Sequence, residues 1–215
     1  MKRIEVSELW RSHEDRPLGY IGKDFERIYI HIHSVTKDPI DPLLYHVQGK
    51  SRVKKNITSF TGYIRIGKVE DYPDGEFNSA DTIEGKITAH YEFSEDCKEK
   101  HCGIFSGTLT TDFFYVPSKD SVYYDDLMGG ADGYCNNMYH GTWESYDKTI
   151  NHVCNWGDGR IPESGDLDMG AGEFYPQKKY YSHGWRSYAE AFLSNTPDSK
   201  ESQAARSKEM EEWWK

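Results

Sequence analysis

Two histidines separated by one residue stand in the stretch "YIHIHSV". On an extended strand His31 and His33 project to the same side as Tyr29, while Ile28, Ile30 and Ile32 take the opposite face. Two imidazoles at that spacing can chelate one divalent cation, and a third ligand would come from a neighbouring strand, with His46, His90 and His140 as candidates. With Asp166 or Asp168 as a further ligand or general base, such a centre would describe a metal-dependent hydrolase. The alternative is a strand whose isoleucines face the core and whose histidines face solvent or a polar lumen. Beyond this divalent metal no cofactor is expected. Cys97, His101 and Cys102 in "CKEKHC" form a second possible ligand set, but without the second paired cluster of a zinc site. The four cysteines read as free thiols in a reducing compartment, with a Cys97–Cys102 disulfide as the alternative for an exported protein.

A second candidate is "NWGDGRIPESGDLDMGAGEF", residues 155–174, which crowds Asp158, Glu163, Asp166, Asp168 and Glu173 among glycines. Carboxylates that close together repel one another unless a cation or an arginine compensates them. Known loop motifs do not fit. Counted from Asp166, a calcium hand would need an oxygen ligand, a glycine and a glutamate where the chain has Gly170, Ala171 and Gln177. "GAGEFY" lacks the third glycine of a dinucleotide fingerprint, and "QGKS" follows Leu44 where a phosphate loop needs its first glycine. Two readings remain. In one, the carboxylates converge on a ligand. In the other, Arg160 pairs with Asp166 or Asp168, glycines supply left-handed turns, and Leu167, Met169 and Phe174 anchor a structural clasp. Long ordered loops often carry function, so the stretch stays a site candidate.

The third candidate is aromatic. In "NNMYHGTWESY", Tyr139 and Trp143 share a face, and Trp156 lies on the next strand. With Asn136, Asn137 and Glu144 beside them, these rings would suit a sugar or a flat apolar ligand, as in a carbohydrate-binding module, and they would equally suit a core. The tripeptide "GTW" resembles the Gly-x-Trp signature of lipocalin-like barrels. In that family the signature sits near the start of the barrel, whereas here it falls on the seventh expected strand, so nothing further is carried over.

The elements that would position these residues are mostly strands. From residue 25 to 156 the apolar period is two: Ile87, Ala89, Tyr91 and Phe93 fall on one face, as do Phe105, Leu109, Phe113 and Tyr115, and Phe60, Ile64 and Ile66. Gly107 and Gly62 stand in those rows as points of curvature or close approach. Eight strands are expected, at about 25–36, 44–54, 57–69, 83–93, 103–116, 121–127, 137–146 and 149–156, joined by turn-like links such as "DPIDP", "DYPDG" and "YDKT". Short links in sequence imply an antiparallel meander, closed or partly closed into a barrel, with a two-sheet sandwich as the alternative. After residue 156, Trp185, Tyr188, Ala189, Phe192 and Leu193 recur at helical spacing, in a helix expected to cap the sheet or plug one barrel end. Residues 200–215 read as a polar helix ending in Met210, Trp213 and Trp214, which would dock on the body or on a partner. The domain reading is one β-rich unit over 1–195 and a helical tail over 196–215.

Composition narrows the function classes. A chain of 215 residues can bury a core unaided, and 16 Tyr, 9 Phe and 6 Trp supply apolar area that a 36% hydrophobic content would otherwise lack. The net charge of −10 argues against a nucleic-acid partner, since the one basic cluster, "KSRVKKN", carries no interleaved aromatics and reads as a solvated hairpin. The charged N-terminus lacks a secretory apolar run, and no stretch approaches a membrane span, so no membrane association and a cytoplasmic location are expected. The leading expectation is a non-enzymatic binding module for a small molecule or a protein. It would act at the sheet end covered by residues 155–183, with Tyr139, Trp143, Trp156, Arg160, Asp166 and Asp168 as contacts.

Overall fold

The computed structural model describes residues 5–12, 17–96, 98 and 101–215. Nine antiparallel strands run β1 (Leu18–Ile21), β2 (Glu26–Lys37), β3 (Leu44–Val53), β4 (Asn56–Asp71), β5 (Ile83–Glu95), β6 (Gly103–Val116), β7 (Ser121–Tyr124), β8 (Asn136–Ser145) and β9 (Asn151–Asp158). The order β5-β4-β3-β2-β1-β9-β8-β6 closes on itself through β5–β6 pairing, so eight strands form a ring; β7 pairs only with the end of β6. The alternation that suggested a barrel therefore describes a closed ring of eight strands, which favours the barrel over the sandwich. The ring is uneven. Its β5–β6 seam runs from Ile83–Tyr115 to Ser94–Ile104, whereas β1 and β2 pair only at Tyr20–Arg27 and Ile21–Glu26.

Inward positions follow the period of two. Ile28, Ile30 and Ile32 of β2 are buried, as are Ile87, Ala89, Tyr91 and Phe93 of β5 and Phe105, Leu109 and Phe113 of β6. The expected close approach at Gly107 is real: a Cβ there would stand 1.9 Å from the His140 carbonyl oxygen. Gly62 meets the Glu92 carbonyl at the same distance, so only glycine lets the strands come together at these two points.

Turns at 22–25, 54–55 and 146–150 lie at one end of the ring. The other end is closed by a short 3-10 helix, Ser7–Leu9, which precedes β1. Trp10 follows it into the barrel, where its Nε1 donates to Thr111 Oγ1 at 3.0 Å and its ring meets Tyr45 edge-on at 5.0 Å. Thr111 donates to Asn137 Oδ1 at 2.8 Å, and Asn137 Nδ2 donates to the Leu9 carbonyl at 2.8 Å, tying plug to β6 and β8. The plug is thus N-terminal. Of the two places expected for the helix after residue 185, the plug is corrected: α1 (Arg186–Phe192) and α2 (Lys200–Glu209) cover the outside of the sheet, where Glu209 of α2 holds Arg27 of β2.

The outer cover rests on β1 and β2. Leu18, Tyr20, Ile161, Leu167, Phe174 and Trp185 form a second apolar cluster. Arg27 is held there in a buried ion pair, donating to Glu209 of α2 at 2.7 and 3.0 Å, with its guanidinium over Tyr29 and Trp185. Trp213 packs against Tyr29, and Trp214 stacks on His31 with ring centroids 3.9 Å apart, so the terminal tryptophans dock on the body. Ala189 and Ala191 are buried, while Phe192 of the expected apolar stripe is exposed. Among the described residues no helix is long and apolar enough to cross a membrane.

Candidate functional site

The end of the barrel opposite the plug is a cup. It has a volume of about 1270 Å³ and opens between the turns that follow β1, β3 and β8, with His101 also at its lining. The strands place its lining by alternation. The inward row of β3 continues from Tyr45 and Val47 through Gly49 to Ser51 and Val53, and that of β5 continues from Phe93 to Glu95. Ile28, Phe105 and Trp143 complete an apolar floor, all three buried beneath the opening. Above the floor stand Ile21, Val53, Ile150 and His152, with His152 stacked near Trp143 at 6.3 Å.

Glu95 is the polar centre of this floor. Its side chain accepts three hydrogen bonds: from Ser51 Oγ at 2.5 Å on Oε1, and from Trp143 Nε1 at 2.8 Å and the Gly103 amide at 3.0 Å on Oε2. A carboxyl group under 10% exposed is stable in an apolar setting when donors surround it in this way. Its carbonyl oxygen also accepts from Tyr146 at 2.5 Å, which fixes the turn after β8 to the end of β5. Deeper still, burial pushes the Cys154 thiol well above its ordinary range, with the Glu95 charge acting in the same direction, so this cysteine is a packing group.

The barrel does not stay hollow below the cup. Tyr139 and Trp156 stack at 4.5 Å, Tyr91 meets each of them edge-on, and Phe93 and Phe60 stack at 5.0 Å. Of the three rings read as a ligand platform, Tyr139 and Trp156 are therefore core, 3% and 1% exposed, and Trp143 alone reaches the cup.

No protein-family model, curated protein or solved structure matches the chain. The geometry of the cup is what bears on function.

The loop from 155 to 174 closes on itself. Arg160 Nη1 pairs with Asp168 at 2.8 Å, and its Nη2 donates to the carbonyls of Gly170 and Gly172 at 3.0 and 2.5 Å. Asp168 Oδ1 accepts from the amides of Gly170 and Tyr175 at 2.9 and 3.0 Å. Asp166 pairs with Lys179 and accepts from Tyr180 at 2.7 Å, and these bonds, Lys179 first, hold its carboxyl below the usual range. Leu167 and Phe174 are buried anchors, as expected, but Met169 is 62% exposed, its sulfur accepting from Gln177 Nε2 at 3.2 Å. Only Glu163 of this loop, and His183 after it, reach the rim of the cup. Tyr20 explains the connection: it donates to the Glu163 carbonyl at 3.0 Å, and burial pushes its hydroxyl up to about 12, with the Glu163 charge adding.

His31 and His33 lie on the outer face of β2, beside a bulge between Ile32 and Ser34, with ring centroids 6.5 Å apart. Of the candidate third ligands, His46 bonds Asp38 at 2.8 Å and His140 faces Glu163 at 3.8 Å. Among the described residues no group of three or more His, Cys, Asp or Glu is placed to hold a metal ion. Cys135 and Cys154 are free thiols; Cys97, half of the expected cysteine pair, lies outside the described residues.

Glu95, Ser51 and His152 were not singled out by motif. The signal was nonetheless available. Extending the row Ile87, Ala89, Tyr91, Phe93 by one more step reaches Glu95, a carboxylate on an inward position, and the same step along β3 reaches Ser51.

Proposed function

We propose that this chain is a small-molecule-binding barrel whose site is the cup at its open end. One observation carries the reading: a cavity of about 1270 Å³ whose floor is Ile28, Phe105 and Trp143 around the hydrogen-bonded Glu95. Ligand sites are concave, mostly apolar, and carry a few polar groups in fixed positions, and this cup has each attribute. The earlier expectation placed binding beneath residues 155–183. The cup shifts it to the neighbouring barrel mouth, with only Glu163 and His183 contributed by that segment. Binding requires no reacting group, and the residues of the floor serve to shape and orient.

Trp143 makes the reading testable. A ligand on the floor changes the surroundings of its indole, so titration with apolar molecules of increasing size is expected to shift the tryptophan emission of the wild-type chain saturably. Val53→Trp projects an indole into the cup from one wall and is expected to weaken saturable binding, most for the largest molecules, while the barrel stays folded by circular dichroism. A response that persists unchanged in Val53→Trp places binding elsewhere and ends the proposal.

A further inference from the structure

The cup is wide and shallow. Every strand of the eight-stranded ring contributes to its lining. Among the described residues, none that a ring strand contributes lies more than two positions inside its strand end; Ile28 on β2, Ser51 on β3, Phe105 on β6 and Trp143 on β8 are the deepest. Two residues of strand amount to about 7 Å. Below that level packed rings take over. The Phe105 ring meets Phe60 at 6.3 Å and Trp156 edge-on at 6.0 Å, and Phe60, Phe93 and Trp156 are each no more than 2% exposed. The volume of about 1270 Å³ is therefore spread across the width of the barrel rather than along its axis. It also exceeds the range of about 300–1,000 Å³ usual for small-molecule sites.

From this we infer that the cup selects broad, rigid molecules, fused-ring systems with a largely apolar body, over flexible chains of equal hydrophobicity. The inference rests on the cup being the binding site. A chain entering end-on would bury its first few carbons and leave the rest in water. To fill the width it would have to fold back on itself, and every rotor ordered in doing so costs free energy. A fused-ring body has no such rotors to order. It can cover Ile28, Phe105 and Trp143 at once while its edges reach Ile21, Val53 and Ile150. Two rings among those floor residues suit a flat ligand further. Charge does not enter the inference, because the lining carries Lys23, Lys55 and Glu163 together with His101 and His152. Shape alone is the criterion, and uncharged ligands suffice to read it.

The probes are testosterone, a four-ring steroid, and 1-octanol, both uncharged and of comparable octanol–water partition, together with the alcohols from 1-hexanol to 1-decanol. Each is titrated into the wild-type chain, with tryptophan emission and calorimetry as readouts. Testosterone is expected to bind at least about fivefold tighter than 1-octanol. Along the alcohols, affinity is expected to rise by less than the roughly fourfold per CH₂ that complete burial gives. A smaller ratio for testosterone, or a full fourfold step sustained from 1-hexanol to 1-decanol, overturns the inference, and does so without any variant. If that happens while Val53→Trp still weakens binding, the cup survives as the site and only its preference for breadth is refuted. If none of the probes binds, or Val53→Trp leaves binding intact, the inference falls together with the reading it rests on.

Discussion

The two ends of the barrel obey one alternation rule and use it differently. Towards the plug, inward positions hold rings against rings: Trp10 on Tyr45 and Tyr139 on Trp156. Towards the turns, the same inward rows hold Ser51 and Glu95, then give way to the half-exposed Ile21 and Val53. The aromatic half stabilises by dispersion and area removed from water, so it has little room to change. The cup half has given up that packing for a concave surface with a fixed polar group. On the proposed reading, stability and recognition are placed at opposite ends of the same strands.

Substitutions can break this contrast. Trp156→Ala removes a fully buried indole from the ring stack and is expected to cost about 3–5 kcal/mol in urea unfolding, without altering selectivity at the cup in whatever fraction remains folded. Trp143→Phe keeps a ring on the floor but removes one of Glu95's donors. It is expected to cost about 1–3 kcal/mol and also to change ligand affinity, the signature of a residue that belongs to both halves. A smaller effect is expected at high pH. Burial pushes Tyr45, at the plug, and Tyr20, near the cup, each up to about 12 from an ordinary 10.0. Their folded pKa values are raised, so the stability they contribute is whole below pH 10 and is lost as the pH climbs through 12. Ultraviolet titration near 295 nm is expected to show a late phase, absent from the urea-unfolded chain; a single phase near pH 10 in the folded chain would contradict their burial. Smallest of all, His152→Ala at the exposed rim is expected to change stability by less than about 0.5 kcal/mol. A cost of several kcal/mol there would mean that the cup is as tightly packed as the core.

Much of this was legible because strands write their faces directly into sequence. The rows of β5 and β6 and the hairpin "RVKKN" were readable residue by residue, and eight strands were placed close to where they lie. β1 was not, because four residues with a glycine, "LGYI", carry too little pattern to stand out; ring closure through its pairing with β9 supplies what local sequence does not. The plug was missed for a related reason. Val6, Leu9 and Trp10 do recur at helical spacing, but a single 3-10 turn among charges gives no sustained period. In the loop, Arg160 was readable as the partner of Asp168, since a guanidinium among carboxylates and glycine carbonyls has few other uses. Glu95 lay beyond motif reading because its meaning is positional: a carboxylate becomes a floor only when three other strands bring Ser51, Gly103 and Trp143 to it.

The seam between β1 and β9 has a consequence for how the chain reaches this state. Leu18 to Ile21 pair with Gly157 to Cys154, so the first strand of the ring waits for the last. Every other ring seam except β6–β8 joins strands that follow one another in sequence. The meander can therefore form progressively, while ring closure is a non-local pairing. A nascent chain released before residue 158 would hold an open sheet with two unpaired edges, and the clasp and tail that pack over β1 would follow only after the ring has shut.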